Sequence, residues 1–372
     1  MSLKTIARAW DEFFLEPVSP VPIALFRILY ALIVLLDIAL LKPDWLNWFG
    51  PRGLVTLPTT QQMESGARLD LFAFLPQTDF WTTAVFWMLL VSALFLLAGL
   101  YTRAASIATF ILVASLHQRN LYIVHSGDTM LRVTGFFLMF APAGAALSLD
   151  RLRNIWRGRE GVTPVLHAPW AQRIIQIEMS VLYFMTFWSK SMGASWVNGT
   201  AVYYVERLEQ FQRFPMPDFL RSLPVAKIET WFTLLVEFSL GTLVWIKELR
   251  YWILLAGFLL HMGLEYSMNV PMFQWIALAL YVTFIDAADL ARAWSWVRRA
   301  VNARPIAFAP ASARAAEVLQ AADVFGRLRL TDGAPRVESA ASVAKAVVRL
   351  WLPAGGGDSR SMVTAAAPSR SR

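Results

Sequence analysis

The chain has 372 residues, of which 57% are hydrophobic and only 16% charged, with a mean hydropathy of +0.48 and 16 Trp and 25 Phe. Soluble domains average roughly 25% charged residues, so the apolar surface here exceeds what one aqueous core can bury and points to a membrane class rather than a soluble one. The absence of cysteine excludes disulfides, thiolate catalysis, thiolate-ligated metal and c-type haem, and the formal charge of +8 suits basic loops beside anionic headgroups and gives no indication of nucleic acid as a partner.

Residues 1–20 read as an amphipathic amino-terminal segment carrying Lys4, Arg8, Asp11, Glu12 and Glu16. The apolar run behind it meets no small-residue cleavage site, so it is expected to stay as a first span rather than leave as a signal peptide. Apolar runs of about 20 residues predict eight spans, over residues 22–41, 80–100, 104–124, 129–149, 171–190, 230–246, 251–268 and 271–290. The expected fold class is therefore all-α, a polytopic integral membrane bundle of about eight transmembrane helices filling residues 21–290. Two long outer loops, 42–79 and 191–229, hold Trp45, Trp48, Trp196, Tyr203, Tyr204 and Phe214, a composition suited to short helices in the headgroup region that roof a cavity. Residues 291–372 read as a basic, partly disordered cytoplasmic tail, with amphipathic helices near 315–330 and 343–352. With the amino terminus in the cytoplasm, fourteen Lys and Arg up to Arg304 fall inside and seven outside. The bias predicts an integral plasma (inner) membrane protein with both termini cytoplasmic.

Ionisable side chains within spans cost a few kcal/mol each, so each implies a protein partner or a wet cavity. At a rise of about 1.5 Å per residue, Asp37, His117, Arg119, His125, Asp128, Arg132, Lys190, Glu237, Glu265 and Asn269 fall toward the outer side, His261 near mid-depth, and Arg27 and Asp286 inward. That segregation predicts a polar cavity opening outward. Asp128 and Arg132, four apart, are expected to pair on one helix face. His261 and Glu265 share that spacing, and Glu265 is expected to orient the imidazole; no further ligand spacing or H-E-x-x-H accompanies them, so no metal is expected. His117 and His125 read either as satisfied helix-end residues or as pocket groups, and Arg27 as a flagged inner cation that snorkels, pairs or binds substrate. His167, in the basic loop, is read as a bystander. Lys190 sits among Phe184, Phe187, Trp188 and Met192. Apolar surroundings lower an amine pKa and make a general base of it; the alternative is a lysine snorkelling to the headgroups. The W-x-x-G at Trp196 to Gly199 is read as a pocket element or a plain turn.

The stretch Tyr183-Phe184-Met185-Thr186-Phe187-Trp188-Ser189-Lys190-Ser191-Met192-Gly193-Ala194-Ser195-Trp196-Val197-Asn198-Gly199 resembles the lysine-to-W-x-x-G segment of the vitamin K-dependent γ-carboxylase family and its bacterial relatives, the HTTM (horizontally transferred transmembrane) proteins. Arg27 with Asp37, His117-Gln118-Arg119-Asn120, Ser126-Gly127-Asp128 with Arg132, Ser148-Leu149-Asp150, and His261 ahead of Met272-Phe273 recur in the same order. The resemblance spans about residues 20–289. It implies a multi-helix membrane fold in which a lysine, matched by Lys190, deprotonates reduced vitamin K or a menaquinol-like quinol. The quinol anion then reacts with O2, and the oxygenated product abstracts a glutamate γ-proton for carboxylation by CO2. His261 matches a histidine near the quinone pocket. The animal enzymes carry a large lumenal carboxy-terminal region for their protein substrates, and this chain has a short basic tail in its place.

The sequence thus points to an enzyme that oxidises a lipid-soluble quinol with O2, with Lys190, His261 and Glu265 as catalytic candidates and Arg27, His117, Arg119, His125, Asp128, Arg132 and Trp196 as substrate-binding ones. The expected partners are the bilayer and the quinol, with no protein partner legible. The competing reading is a non-catalytic membrane protein, an immunity-like or assembly partner or a small-molecule permease. A permease favours broken spans in matching halves, and no such symmetry is visible.

Overall fold

The computed structural model describes residues 2–63, 70–301 and 304–352. Arg68, counted among the outer basic residues, lies outside them, as does the carboxy-terminal end of the expected tail. The chain divides into two compact units, residues 1–151 with 165–287, and 152–164 with 288–372. It is mostly helical with one small sheet.

In the first unit α1 (Leu3–Phe14) is amphipathic and buries none of its residues. The helix α2 (Val21–Leu41) starts at a proline-rich turn, where Pro22 supplies helical φ without costing a hydrogen bond. Its Ile23, Phe26, Tyr30 and Val34 face the core while Leu32, Leu36 and Leu40 point outward, 45% or more exposed. Short helices α3 (Trp45–Phe49) and α4 (Leu57–Met63) fill the first long loop. Next come α5 (Asp79–Ala98), capped by the Thr78 hydroxyl, and α6 (Thr102–Arg119). The helix α7 (Ser126–Leu138) stops well short of the expected 149, because the segment beyond it turns through Pro142 and Gly144. After α8 (Leu149–Trp156) follow α9 (Trp170–Ser191), the loop helices α10 (Ala194–Val197) and α11 (Ala201–Val205), and then α12 (Leu223–Gly241), α13 (Lys247–Ser267) and α14 (Phe273–Tyr281). Every expected span thus meets a helix. By length and composition two of them, Val21–Phe49 and Asp79–Ala98, suffice to cross a membrane, with Phe273–Phe284 a shorter apolar helix.

α5 packs between α2 and α6, α9 lies along α12, and α7 touches α6, α9 and α14. One apolar core runs through all of them, from Ile23 and Phe26 to Met179, Leu240 and Ile276. At one end of this core Arg27, fully buried, donates to the carbonyls of Ala143 (3.0 Å) and Leu147 (2.6 Å). Beside it Asp150 accepts from the Tyr101 and Thr102 amides and the Thr102 hydroxyl, capping α6. Tyr101 and Leu147 both take positive φ here. The backbone is strained, and the buried charge network holds it.

In the second unit α15 (Ala287–Val301) precedes β1 (Ile306–Pro310), α16 (Ala313–Ala322), β2 (Leu328–Leu330), β3 (Arg336–Val337) and α17 (Ala340–Trp351). The strands form a parallel sheet in the order β2-β1-β3, with Ile306 beside Leu328 and Ala309 beside Arg336. Ile155, Phe308, Val318, Leu319, Val343, Val347 and Leu350 form its separate core. Where the sequence suggests a partly disordered tail, residues 304–352 therefore build a folded α/β element. The helix expected over 315–330 is α16 alone, ending at Asp323, where the chain turns into a strand. Buried Arg327 donates to the last carbonyls of α17, Arg349 and Leu350 at 3.3 Å and also Leu352, neutralising the negative helix end.

Candidate functional site

Lys190 stands on the last turn of α9, where α12 runs alongside. Its ammonium pairs with Glu237 of α12 and lies 4.9 Å above the Trp196 ring of α10. The Lys190 side chain is 28% exposed and that of Glu237 only 8%. A tryptophan face and a carboxylate are the two surroundings that hold a cation out of bulk water. The second Glu237 oxygen, Oε2, is buried without a hydrogen-bond partner.

Two turns earlier on α9, Tyr183 donates its hydroxyl to His261 Nε2 at 2.6 Å, and the Tyr281 hydroxyl lies 3.1 Å from that of Tyr183. The other ring nitrogen, Nδ1, meets Gln274 Oε1 at 2.5 Å. An amide oxygen can only accept, so Nδ1 carries a proton, and in the neutral imidazole Nε2 is the acceptor that the Tyr183 hydroxyl meets. A Cβ at Gly257 would come within 2.4 Å of the Tyr281 hydroxyl. Only glycine on α13 leaves room for that ring. The charges of Lys190 and Glu237 act on His261 and Tyr183 respectively.

A third group gathers at the start of α7. His125 caps the helix, its Nδ1 accepting from the Gly127 amide at 3.1 Å, while Asp128 accepts from the His125 amide at 2.9 Å. Asp128 also faces His117 Nε2 at 3.7 Å and His125 Nε2 at 3.4 Å. Asp37 and Arg132 act electrostatically on this group. His117 Nδ1 is buried without a partner. Gly127 lies against Phe273, where an added Cβ would stand 2.9 Å from the backbone nitrogen, and the Phe273 ring is 5.8 Å from that of His261. The His125 group therefore meets the backbone of Phe273, and His261 its ring. A separate apolar groove of about 730 Å³, lined by Phe13, Val181, Phe184, Met185, Gly241 and Trp245 among others, opens along α9.

Of the residues expected from sequence, the structure sets Trp196 beside Lys190, gathers His117, His125 and Asp128 with Arg132 acting on them, and places His261 with Tyr183 and Gln274. Arg132 forms no ion pair with Asp128, whose oxygens are turned to the two histidines and the helix amide; among the described residues Arg132 has neither hydrogen bond nor ion pair. Glu265 does not orient His261. It pairs with Arg213 of the second long loop, and Gln274 takes the orienting role. Arg27 is spent on carbonyls, and so is Arg119, fully buried and donating to Val55 and Gly50 oxygens at 2.8 Å. These two are clamps rather than ligands. Tyr183, Gln274 and Tyr281 escaped the sequence reading, and Glu237 was noticed there without a role. Tyr183 and Lys190 are seven apart, as are Gln274 and Tyr281, two turns on one helix face. That spacing was the available signal.

The HTTM domain matches residues 15–288. Over 134 residues the chain is 26% identical to "Uncharacterized protein YitO" of Bacillus subtilis (strain 168), a stretch covering 34% of this chain and 42% of that protein. No solved structure matches the chain. The profile match takes in all three polar groups around Lys190, His261 and His125, and on it the chain belongs to the HTTM family.

Proposed function

We propose that this HTTM protein crosses the plasma membrane about eight times, with both termini cytoplasmic, and oxidises a lipid-soluble quinol with O2, Lys190 acting as base. The spanning reading is supported by outward stripes that water would not tolerate: Val181, Met185 and Trp188 on α9, and Trp252, Leu255 and Leu259 on α13, each at least 48% exposed. Apolar patches of that length and number suit lipid.

The observation that carries the chemistry is the Lys190–Glu237 pair under the Trp196 ring, with the Tyr183–His261–Gln274 chain nearby. Passing one proton from ammonium to carboxylate turns the pair into an amine and an acid without changing its net charge. Such an exchange is inexpensive where solvent is scarce. The unpartnered Glu237 Oε2 and His117 Nδ1 are polar atoms that fit the hydroxyls of a quinol. A bound quinol supplies two ionisable hydroxyls and two electrons for O2. With its own proton on Glu237, Lys190 takes one hydroxyl proton and Glu237 gives its proton to the reduced O2, which restores the pair. The second hydroxyl proton leaves with the two electrons, so that O2 departs as hydrogen peroxide, while His261, fixed by Gln274, holds the Tyr183 hydroxyl in place.

Extraction in mild detergent followed by native mass spectrometry of co-purifying lipids, with menaquinol-dependent O2 consumption assayed in parallel, tests this reading. A bound quinone and O2 uptake that the folded Lys190→Gln variant loses are the expected results. Unchanged uptake in that variant would remove the catalytic role.

A further inference from the structure

Most of the second unit, from residue 289 onward, lies beyond the family match, and the charge of the unit is distinctive. Residues 152–164 and 288–352 carry thirteen Arg and Lys against six Asp and Glu, whereas the rest of the chain carries twenty-one against twenty. The excess positive charge of the protein is thus concentrated in this unit.

One face of α15 is fixed within the unit. Trp294 Nε1 and Arg298 Nε both donate to the Val324 carbonyl, at 2.7 and 2.5 Å, Arg298 also reaches the Asp323 carbonyl, and the Trp294 ring lies 5.9 Å from Phe325. The opposite face presents Arg292, paired with Asp289, then Trp296 and Arg299, which reaches the Ser295 hydroxyl at 3.3 Å; the three are spaced four and three residues apart and so aligned along the helix. Trp296 is 66% exposed and the Arg292 side chain 80%. An outward tryptophan with an arginine one turn to either side is the arrangement of an interfacial helix, with the indole at headgroup depth and the guanidinium groups at phosphates. An aqueous face would have no use for that indole.

We propose that the Arg292–Trp296–Arg299 face of α15 is a docking surface for an anionic lipid bilayer, which it enters with the Trp296 indole. The charge balance of the unit selects acidic headgroups, and the chain tether to the membrane-spanning unit, only two residues past Phe284, keeps a bilayer within reach. The inference rests on the spanning reading of the first unit but not on its chemistry. It gives the second unit a function of its own, that of holding the basic α/β element against the membrane.

Because the chain has no cysteine, a single spin label reports one position. The full chain carrying Ala300→Cys, one turn beyond Trp296, is labelled and reconstituted into nanodiscs of phosphatidylcholine alone or mixed with phosphatidylglycerol. Gly333→Cys, where a side chain meets nothing within 4 Å, serves as reference. Collisions with lipid-soluble O2 should exceed those with a water-soluble nickel chelate at position 300 only in the phosphatidylglycerol discs. Arg292→Gln with Arg299→Gln should reduce the ratio of immersed to aqueous label about thirtyfold, each arginine near an anionic leaflet giving roughly a fivefold preference. Trp296→Ala should abolish immersion while leaving the Gly333→Cys spectrum unchanged. A label in water in both lipids overturns the proposal, and so does equal immersion in both, which would leave the arginines without a role. Co-migration of the protein with the discs reports the spanning reading separately.

Discussion

At the scale of single residues the site is defined by unequal partners. The Lys190 ammonium retains contact with solvent, whereas Glu237 is enclosed with one oxygen unpaired. Removing the lysine therefore strands a buried carboxylate, and removing the carboxylate leaves an ammonium that can still swing outward. Lys190→Met is expected to cost roughly 3 kcal/mol of stability, since a buried charge loses its only counter-ion, and Glu237→Gln about 1 kcal/mol. The double variant should recover most of the loss. Thermal unfolding in one detergent checks all three, and equal costs for the two single variants would contradict the unequal burial. Lys190 was legible in the sequence because a lysine among aromatic residues at a span end is rare. Its partner was not, because Glu237 lies 47 residues away on a helix whose facing cannot be read from an apolar run. Glu265 misled for the reverse reason. A helical spacing of four guarantees a shared face with His261 but not a shared partner, and the second long loop brought Arg213 to it instead.

At the scale of elements, apolar runs located each helix of 18 or more residues, α2, α5, α6, α9, α12 and α13, since hydrophobic length is a local property. The helix ends were less legible because they depend on distant groups. α5 stops at Gly99, whose φ of +64° closes the helix while its amide returns to Leu96 and Phe95. A Cβ at that position would lie 2.3 Å from Arg27 Nη1 and 2.8 Å from the Ser148 backbone. Gly99→Ala thus faces two costs, a left-handed backbone and displacement of the arginine that binds the Ala143 and Leu147 carbonyls. The expected loss is about 2–4 kcal/mol, visible as a lowered unfolding temperature with helix content retained. A change as small as that at Gly263, which has nothing within 4 Å, would show that the clamp carries no load. The α/β element was illegible on the same principle. Three of the five residues of Ile306–Pro310 are alanine or proline, its partners β2 and β3 are three and two residues long, and parallel pairing leaves no turn signature between neighbours.

At the scale of the whole molecule, the pH response of the first unit should be governed by groups outside its long apolar helices. Glu206, at the end of α11, is buried and hydrogen-bonded to the Glu229 carboxyl, and its main-chain carbonyl accepts from Gln212 at 2.7 Å. Burial pushes the Glu206 carboxyl above its ordinary value, against the opposing hydrogen bond from Glu229 and the charges of Arg207 and Arg221. A raised value means that the folded state holds this proton more tightly than the unfolded chain, whose glutamate titrates at about 4.3. The stabilisation is therefore complete below the unfolded value and disappears as pH rises through the folded one. Glu206→Gln keeps the size and hydrogen bonding of the protonated acid and cannot ionise. Unfolding temperatures of this variant and the parent, measured in the same detergent from about pH 5 to pH 8, should converge at the acid end and separate toward the alkaline end, with the variant higher. A gap of constant size across that range would place the effect in packing of the second long loop rather than in titration of Glu206, since a lost contact has no pH dependence of its own.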